Sequence, residues 1–209
     1  MNDPSLAWPT VTQVMEFTRS GYDYATTNRQ GGADYIPYRF LSIPEAALSQ
    51  ATDRGVHVHM CCSDAAKGLY PYWKENQQVL PYMEQWMEFW DTCGCQLIAT
   101  EERCNNSLHQ YRGRLDFRLT MYAGQANKEH EAVIDLKTAK DRNNPFDAIQ
   151  TQAYKSCFVQ ELRRYALYLS DNNWRLIEHR RTADYSAWLS MLNVYKWAQL
   201  VKERGVSND

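Results

Sequence analysis

The sequence predicts an α/β domain: a mixed central sheet flanked by helices. Two observations carry the expectation. Up to about residue 93 the apolar residues recur at intervals of three and four, and after Gly94 the interval turns to two. Three such alternating segments follow one another with short polar links, and the pattern then returns to helix, strand and helix. Consecutive short-linked strands make an antiparallel meander. A fourth strand reached through a crossover helix lies beside an earlier one. With 209 residues, 44% of them hydrophobic, the chain supports a single domain with a substantial core. Its expected parts are an N-terminal helical portion, 1–93, and a core, 94–209.

Taken in order, "WPTVTQVMEFTRSGYDYATTNRQGGADYIPYRF" starts as a short amphipathic helix and runs into a Gly- and Asn-containing loop. "SIPEAALSQATDRGVHVHMCCSDAAKG" is helical, starting at Ser42 or Pro44 and stopping at Gly68, and it carries His57 and His59. In "LPYMEQWMEFWDTCG", Tyr82, Trp86, Phe89 and Trp90 fall on one face. Such a stripe can stack nucleobases, but its helical spacing is already explained by core packing. The three strands are "CQLIATEERC", "QYRGRLDFRLTMY" and "HEAVIDLKTA". "NPFDAIQTQAYKSCFVQELRRYALYLS" is expected as one long helix, with Asn144 as N-cap and Pro145 in its first position. The strand "WRLIEHRR" and the helix "ADYSAWLSMLNVYKWAQLVKER" close the chain.

Composition narrows the function. Apolar runs of a few residues are far short of the roughly 20 that cross a bilayer, and the first residues lack a basic and apolar leader pattern. The expectation is a soluble, cytoplasmic protein with no membrane partner. A net charge of -2 argues against coating nucleic acid through bulk charge, though not against a local basic groove. The six cysteines (Cys61, Cys62, Cys93, Cys95, Cys104 and Cys157) form no CxxC pair, as expected for reduced structural thiols.

"EAVIDLKTAK" breaks the apolar character of its strand with Asp135 and Lys137, which share a face because side chains alternate. Asp116, on the preceding strand, falls opposite Asp135 across the hairpin. Two neighbouring carboxylates repel unless a cation lies between them, and a hard divalent ion such as Mg²⁺ suits oxygen ligands. Lys137 is then placed to hold an attacking water and to stabilise charge developing on a phosphate. The rival arrangement, a solvated ion-pair cluster, leaves "AVIDLK" half exposed.

These residues carry a family resemblance. "GRLDF", "AVIDLKTAK" and "IQTQAY", preceded by "RGVHVH", resemble the motifs G-x-x-D, (D/E)-x-K, Q-x-x-x-Y and R-G-x-x-x-H of the PD-(D/E)XK nucleases, specifically their RecB-like branch. The likeness extends over nearly the whole chain and implies a restriction-endonuclease-like core. It implies Asp116 and Asp135 as metal ligands, with the Leu136 carbonyl and His59 as further ligands. Lys137 is the implied catalytic lysine, and Gln150 and Tyr154 position a DNA phosphate or support Lys137. Imidazole ligation makes Mn²⁺ an alternative to Mg²⁺. Glu101 matches an acid on the strand before the Asp strand and is a supporting candidate. Arg112, Arg114 and Arg118 alternate on the Asp116 strand and so are expected to share its face; with Lys140 and Arg142 they are candidate DNA contacts. His57 is two positions out of register with the histidine motif. Some RecB-like relatives hold an iron-sulphur cluster through cysteines near the C-terminus; this chain has none after Cys157, so no cluster is expected.

The function implied is a metal-dependent DNA nuclease like the small stand-alone enzymes of phages and prophages, an exonuclease resecting DNA ends for recombination or repair in a bacterial cytoplasm. A single-strand annealing or single-strand-binding protein is the accompanying partner class. The alternatives are a non-catalytic DNA-binding or recombination-accessory protein on the same fold, and a structure-dependent or sequence-specific endonuclease.

Overall fold

The computed structural model describes residues 7–27, 45–69, 74, 76–123, 128–138 and 144–203. It is a mixed α/β structure whose described elements are a five-stranded open sheet and five helices. The helices are α1 (Val11–Thr27), α2 (Glu45–Ala66), α3 (Leu80–Thr92), α4 (Pro145–Lys155) and α5 (Ala183–Glu203). The strands are β1 (Gln96–Asn106), β2 (Tyr111–Tyr122), β3 (Glu129–Lys137), β4 (Arg163–Leu169) and β5 (Trp174–Glu178).

The strands lie in sequence order across the sheet. The first three form the expected antiparallel meander, β4 runs parallel to β3, and β5 is antiparallel to β4. A parallel neighbour requires a crossover, and α4 supplies it. Asn144 caps α4 by accepting from the Phe146 N–H at 3.1 Å, and Pro145 opens it. Gly68, at φ 71°, follows the end of α2. The expected starts of α2 at Ser42 or Pro44, and the loop after α1, lie outside the described residues.

One expectation is corrected. The long helix drawn through "IQTQAYKSCFVQELRRYALYLS" ends at Lys155, and "RRYALYL" is strand β4. The strand that the crossover places beside β3 is therefore β4, and "WRLIE" is a fifth strand outside it. From Arg164 to Leu169 every residue of β4 is buried, so no alternation marks it as a strand. A short apolar run of that kind reads equally well as buried helix.

Two cores sandwich the sheet. On one face α2 and α3 pack Val58, Cys62, Met83, Trp86 and Phe89 against Phe117, Leu119, Ile134 and Leu136. The Trp86 and Phe117 rings meet at 4.7 Å between centroids, so the aromatic stripe of α3 is core. On the other face α1, α4 and α5 pack Val11, Val14, Phe146, Tyr154, Trp188 and Leu192 against Tyr111, Leu115 and Val133. Each such side chain, buried fully, contributes about 1.5–3 kcal/mol. No two cysteines are bridged, and all but Cys157 are buried.

Leu115 and Phe117 are two positions apart yet enter opposite cores. Strand β2 therefore turns over at Asp116. Gly113, on the α4 side of this turn, has no room for a side chain: a Cβ there would stand 2.7 Å from Tyr154 Cε1 and 3.2 Å from Val11 Cγ2. Gly113→Ala is expected to destabilise the protein by about 1–3 kcal/mol through overpacking. Urea unfolding checks it, and an unchanged midpoint refutes the contact.

Candidate active site

The sheet forks at the two aspartates. The β2–β3 ladder stops at Phe117 and Ile134, one step before Asp116 and Asp135. Beyond it β2 stays paired with β1, and β3 stays paired with β4 as far as Lys137. The Leu136 N–H donates to Asp116 Oδ2 at 2.7 Å, a charge-assisted bond in place of a ladder bond. The fork opens as a cleft of about 400 Å³ lined by Thr12, His59, Arg114, Asp116, Asp135, Leu136, Lys137, Thr138, Gln150 and Tyr154.

Helices α2 and α4 are each held at the cleft by a close contact. On α2, Gly55 lies against the end of β3; a Cβ there would be 3.0 Å from Thr138 Oγ1. One turn later His59 extends to the aspartates, with Nδ1 3.7 Å from Asp116 Oδ1. Helix α4 is tied to β2 by the Tyr111 hydroxyl, which donates to the Ala153 carbonyl at 2.8 Å. It thereby presents Gln150 and Tyr154 to Lys137: Lys137 Nζ donates to Gln150 Oε1 and Gln150 Nε2 to the Tyr154 hydroxyl, both at 3.2 Å.

The face carrying Asp135 and Lys137 is neither solvated nor apolar. Asp135 is only 2% exposed. Its Oδ2 lies 2.6 Å from Lys137 Nζ without an aligned hydrogen bond. Burial, together with the charges of Asp116 and Asp147, pushes the Asp135 carboxyl up to about 6 despite the opposing pull of Lys137. For His59, burial alone lowers the pKa, but Asp116 and then Asp135 outweigh it and raise it. The Lys137 ammonium is likewise raised: burial opposes, and Asp135 and Asp147 prevail. The site thus carries more negative charge than its own cations balance.

The remaining candidates divide. Glu101 takes a left-handed φ of 53°. It pairs with Arg114 at 2.9 Å and lines a cavity of about 640 Å³ that shares His59, Arg114, Asp116 and Thr138 with the cleft. Its neighbour Glu102 turns away to pair with Arg118. The three arginines of β2 do not all share a face, because the strand turns over at Asp116, between Arg114 and Arg118. Arg114 borders the cleft, whereas Arg118 is engaged by Glu102 at 2.9 Å and stacks 5.1 Å over Phe158. Arg112 lines a separate hollow with Trp8, Pro9 and Tyr195. Lys140 and Arg142 lie outside the described residues.

Three polar residues of this site were not singled out from the sequence. Thr12 and Thr138 line the cleft. Asp147 is buried and lies 3.9 Å from Lys137 Nζ through Oδ1. It precedes Gln150 by three positions and Tyr154 by seven, the spacing of one helical face, and that was the available signal.

Among the described residues no group of three or more His, Cys, Asp or Glu side chains is placed to hold a metal ion. The donor chemistry nevertheless fits a hard divalent cation. Mg²⁺ is commonly held by one or two carboxylates, with waters and substrate oxygens completing the shell. Asp116 and Asp135 supply the carboxylates, Asp135 with a buried oxygen that makes no aligned hydrogen bond, and His59 and Leu136 line the same cleft.

No family model matches the chain, and no curated protein matches it. Among solved structures it is similar to SSO0001, with 15% identity over 71% of this chain and 75% of that one and a TM-score of 0.38. No helix among the described residues is long and apolar enough to cross a membrane.

A carboxyl with a raised folded pKa holds its proton more tightly in the fold than in the unfolded chain. It therefore removes stability as pH rises from its ordinary value of 3.8 to about 6, with the full penalty above. Metal-free Asp135→Asn, which lacks this penalty, is expected to gain stability relative to wild type as pH rises from 4 to 8, by about 1–3 kcal/mol over that interval. Thermal melts at the two pH values check it; a difference between variant and wild type that does not grow in the variant's favour from pH 4 to pH 8 refutes the buried-charge account.

Proposed function

We propose that the chain is a metal-dependent DNA nuclease of the PD-(D/E)XK superfamily, RecB-like branch, with a restriction-endonuclease-like core. It hydrolyses phosphodiester bonds as an exonuclease processing DNA ends for recombination or repair, in a bacterial cytoplasm. The observation that carries this reading is convergence: His59, Asp116, Asp135, Lys137, Gln150 and Tyr154 come from separate chain segments and line one cleft. The order of those segments is that of the RecB-like motifs.

Asp116 and Asp135, with His59 and the Leu136 carbonyl beside them, would hold Mg²⁺ or Mn²⁺. A bound cation supplies Lewis-acid stabilisation of the phosphate and activates water. Lys137 orients the attacking water and offsets charge growing on the phosphate oxygens. Gln150 fixes the Lys137 ammonium, and Tyr154 fixes Gln150. Arg114 places a positive group at the edge of the cleft, where a DNA backbone would pass.

The test is incubation of the purified protein with linear duplex, circular duplex and single-stranded DNA in Mg²⁺ or Mn²⁺. Degradation of linear DNA with circular duplex spared is expected, and Lys137→Ala should lose about 100-fold or more of the rate. Absence of cleavage, or equal cleavage by Lys137→Ala, rejects the nuclease. Cleavage of circular duplex moves the reading to an endonuclease.

A further inference from the structure

Lys137 has a third polar neighbour, Asp147, that the motif set leaves out. Asp147 stands in the first turn of α4 and is only 2% exposed. Across from it, on β4, Tyr168 is the ladder partner of Lys137 and donates its hydroxyl to Asp147 Oδ2. Asp147 Oδ1 is turned to the lysine, 3.9 Å from Nζ. The ammonium thus has Asp135 Oδ2 at 2.6 Å, Gln150 Oε1 at 3.2 Å and Asp147 beyond them.

We infer that Asp147, fixed by Tyr168, is a positioning residue that retains the Lys137 ammonium when a divalent cation engages Asp135. Asp135 cannot serve both cations equally. A cation on its carboxylate repels Nζ and takes the oxygen that Nζ now faces at 2.6 Å. Asp147 lies close enough to accept one of the three ammonium hydrogens after a small shift of a flexible side chain, while Gln150 keeps another. Tyr168 holds the carboxylate so that this second anchor is in place beforehand. Without it, the lysine and the incoming cation compete for Asp135.

The inference rests on the metal-dependent reading above, and its test separates the two. Calcium binding to the full chain is measured by titration calorimetry in wild type, Asp147→Asn, Lys137→Met and the double variant. Asp147→Asn is expected to weaken Ca²⁺ binding about 10-fold when Lys137 is present and less than about 2-fold when it is Met. Tyr168→Phe, which leaves both charges, should weaken binding in the same lysine-dependent way, and it replaces Asp147→Asn in the cycle if that variant does not fold. In Mg²⁺, kcat should fall about 10-fold or more with KM little changed, because the lysine acts on the reacting phosphate. Equal weakening with and without Lys137 overturns the inference, since Asp147 then acts through its general field or through the fold. Failure of wild type to bind Ca²⁺ also overturns it. A lysine-dependent cycle without DNA cleavage rejects the nuclease reading and leaves the anchor standing.

Discussion

The hydrogen bond from the Leu136 N–H to the Asp116 carboxylate is the contact on which the cleft depends. Where β2 and β3 would continue their ladder, a side-chain oxygen replaces a backbone carbonyl, and the strands separate without orphaning that N–H. The same carboxylate faces His59 through its other oxygen. One residue therefore ends a sheet pairing, receives the α2 helix and contributes half of a carboxylate pair. At the same residue β2 turns over: the buried Tyr111 and Leu115 before Asp116 serve the α4 side, and the buried Phe117, Leu119 and Met121 after it serve the α2 side.

Around that fork the fold stores electrostatic tension. Burial raises Asp135, while Lys137 restrains the rise only in part. A well-packed apolar strand of similar volume would carry no such penalty. The packing that holds the tension in place is conventional: an asparagine cap and a proline start α4, Tyr111 ties it to β2, and glycine at 113 makes room for Tyr154.

Much of this was legible beforehand. The meander, α3 and its aromatic face, the N-cap of α4 and the closing helix follow from period and capping chemistry, which are local properties. Asp135 and Lys137 on one face follow from the alternation of a strand. The β4 strand was hidden because a strand buried on both faces has no polar side to reveal its period. The shared face of Arg112, Arg114 and Arg118 failed for a related reason: alternation assumes an unbroken strand, and β2 turns over at Asp116. Tyr168 shows no link to the lysine in the sequence, because the fully buried run that carries it has no strand period.

The sequence by itself determined the class of elements, most of their order and the motif residues, because each rests on spacing within one segment. Only the tertiary structure decided that Asp116 and Asp135 stand at a fork, that Glu101 and not Glu102 turns toward it, and that Asp147 backs Lys137. Those facts depend on register, strand rotation and the approach of one segment to another. They arise from packing between residues far apart in the chain, which no local pattern encodes.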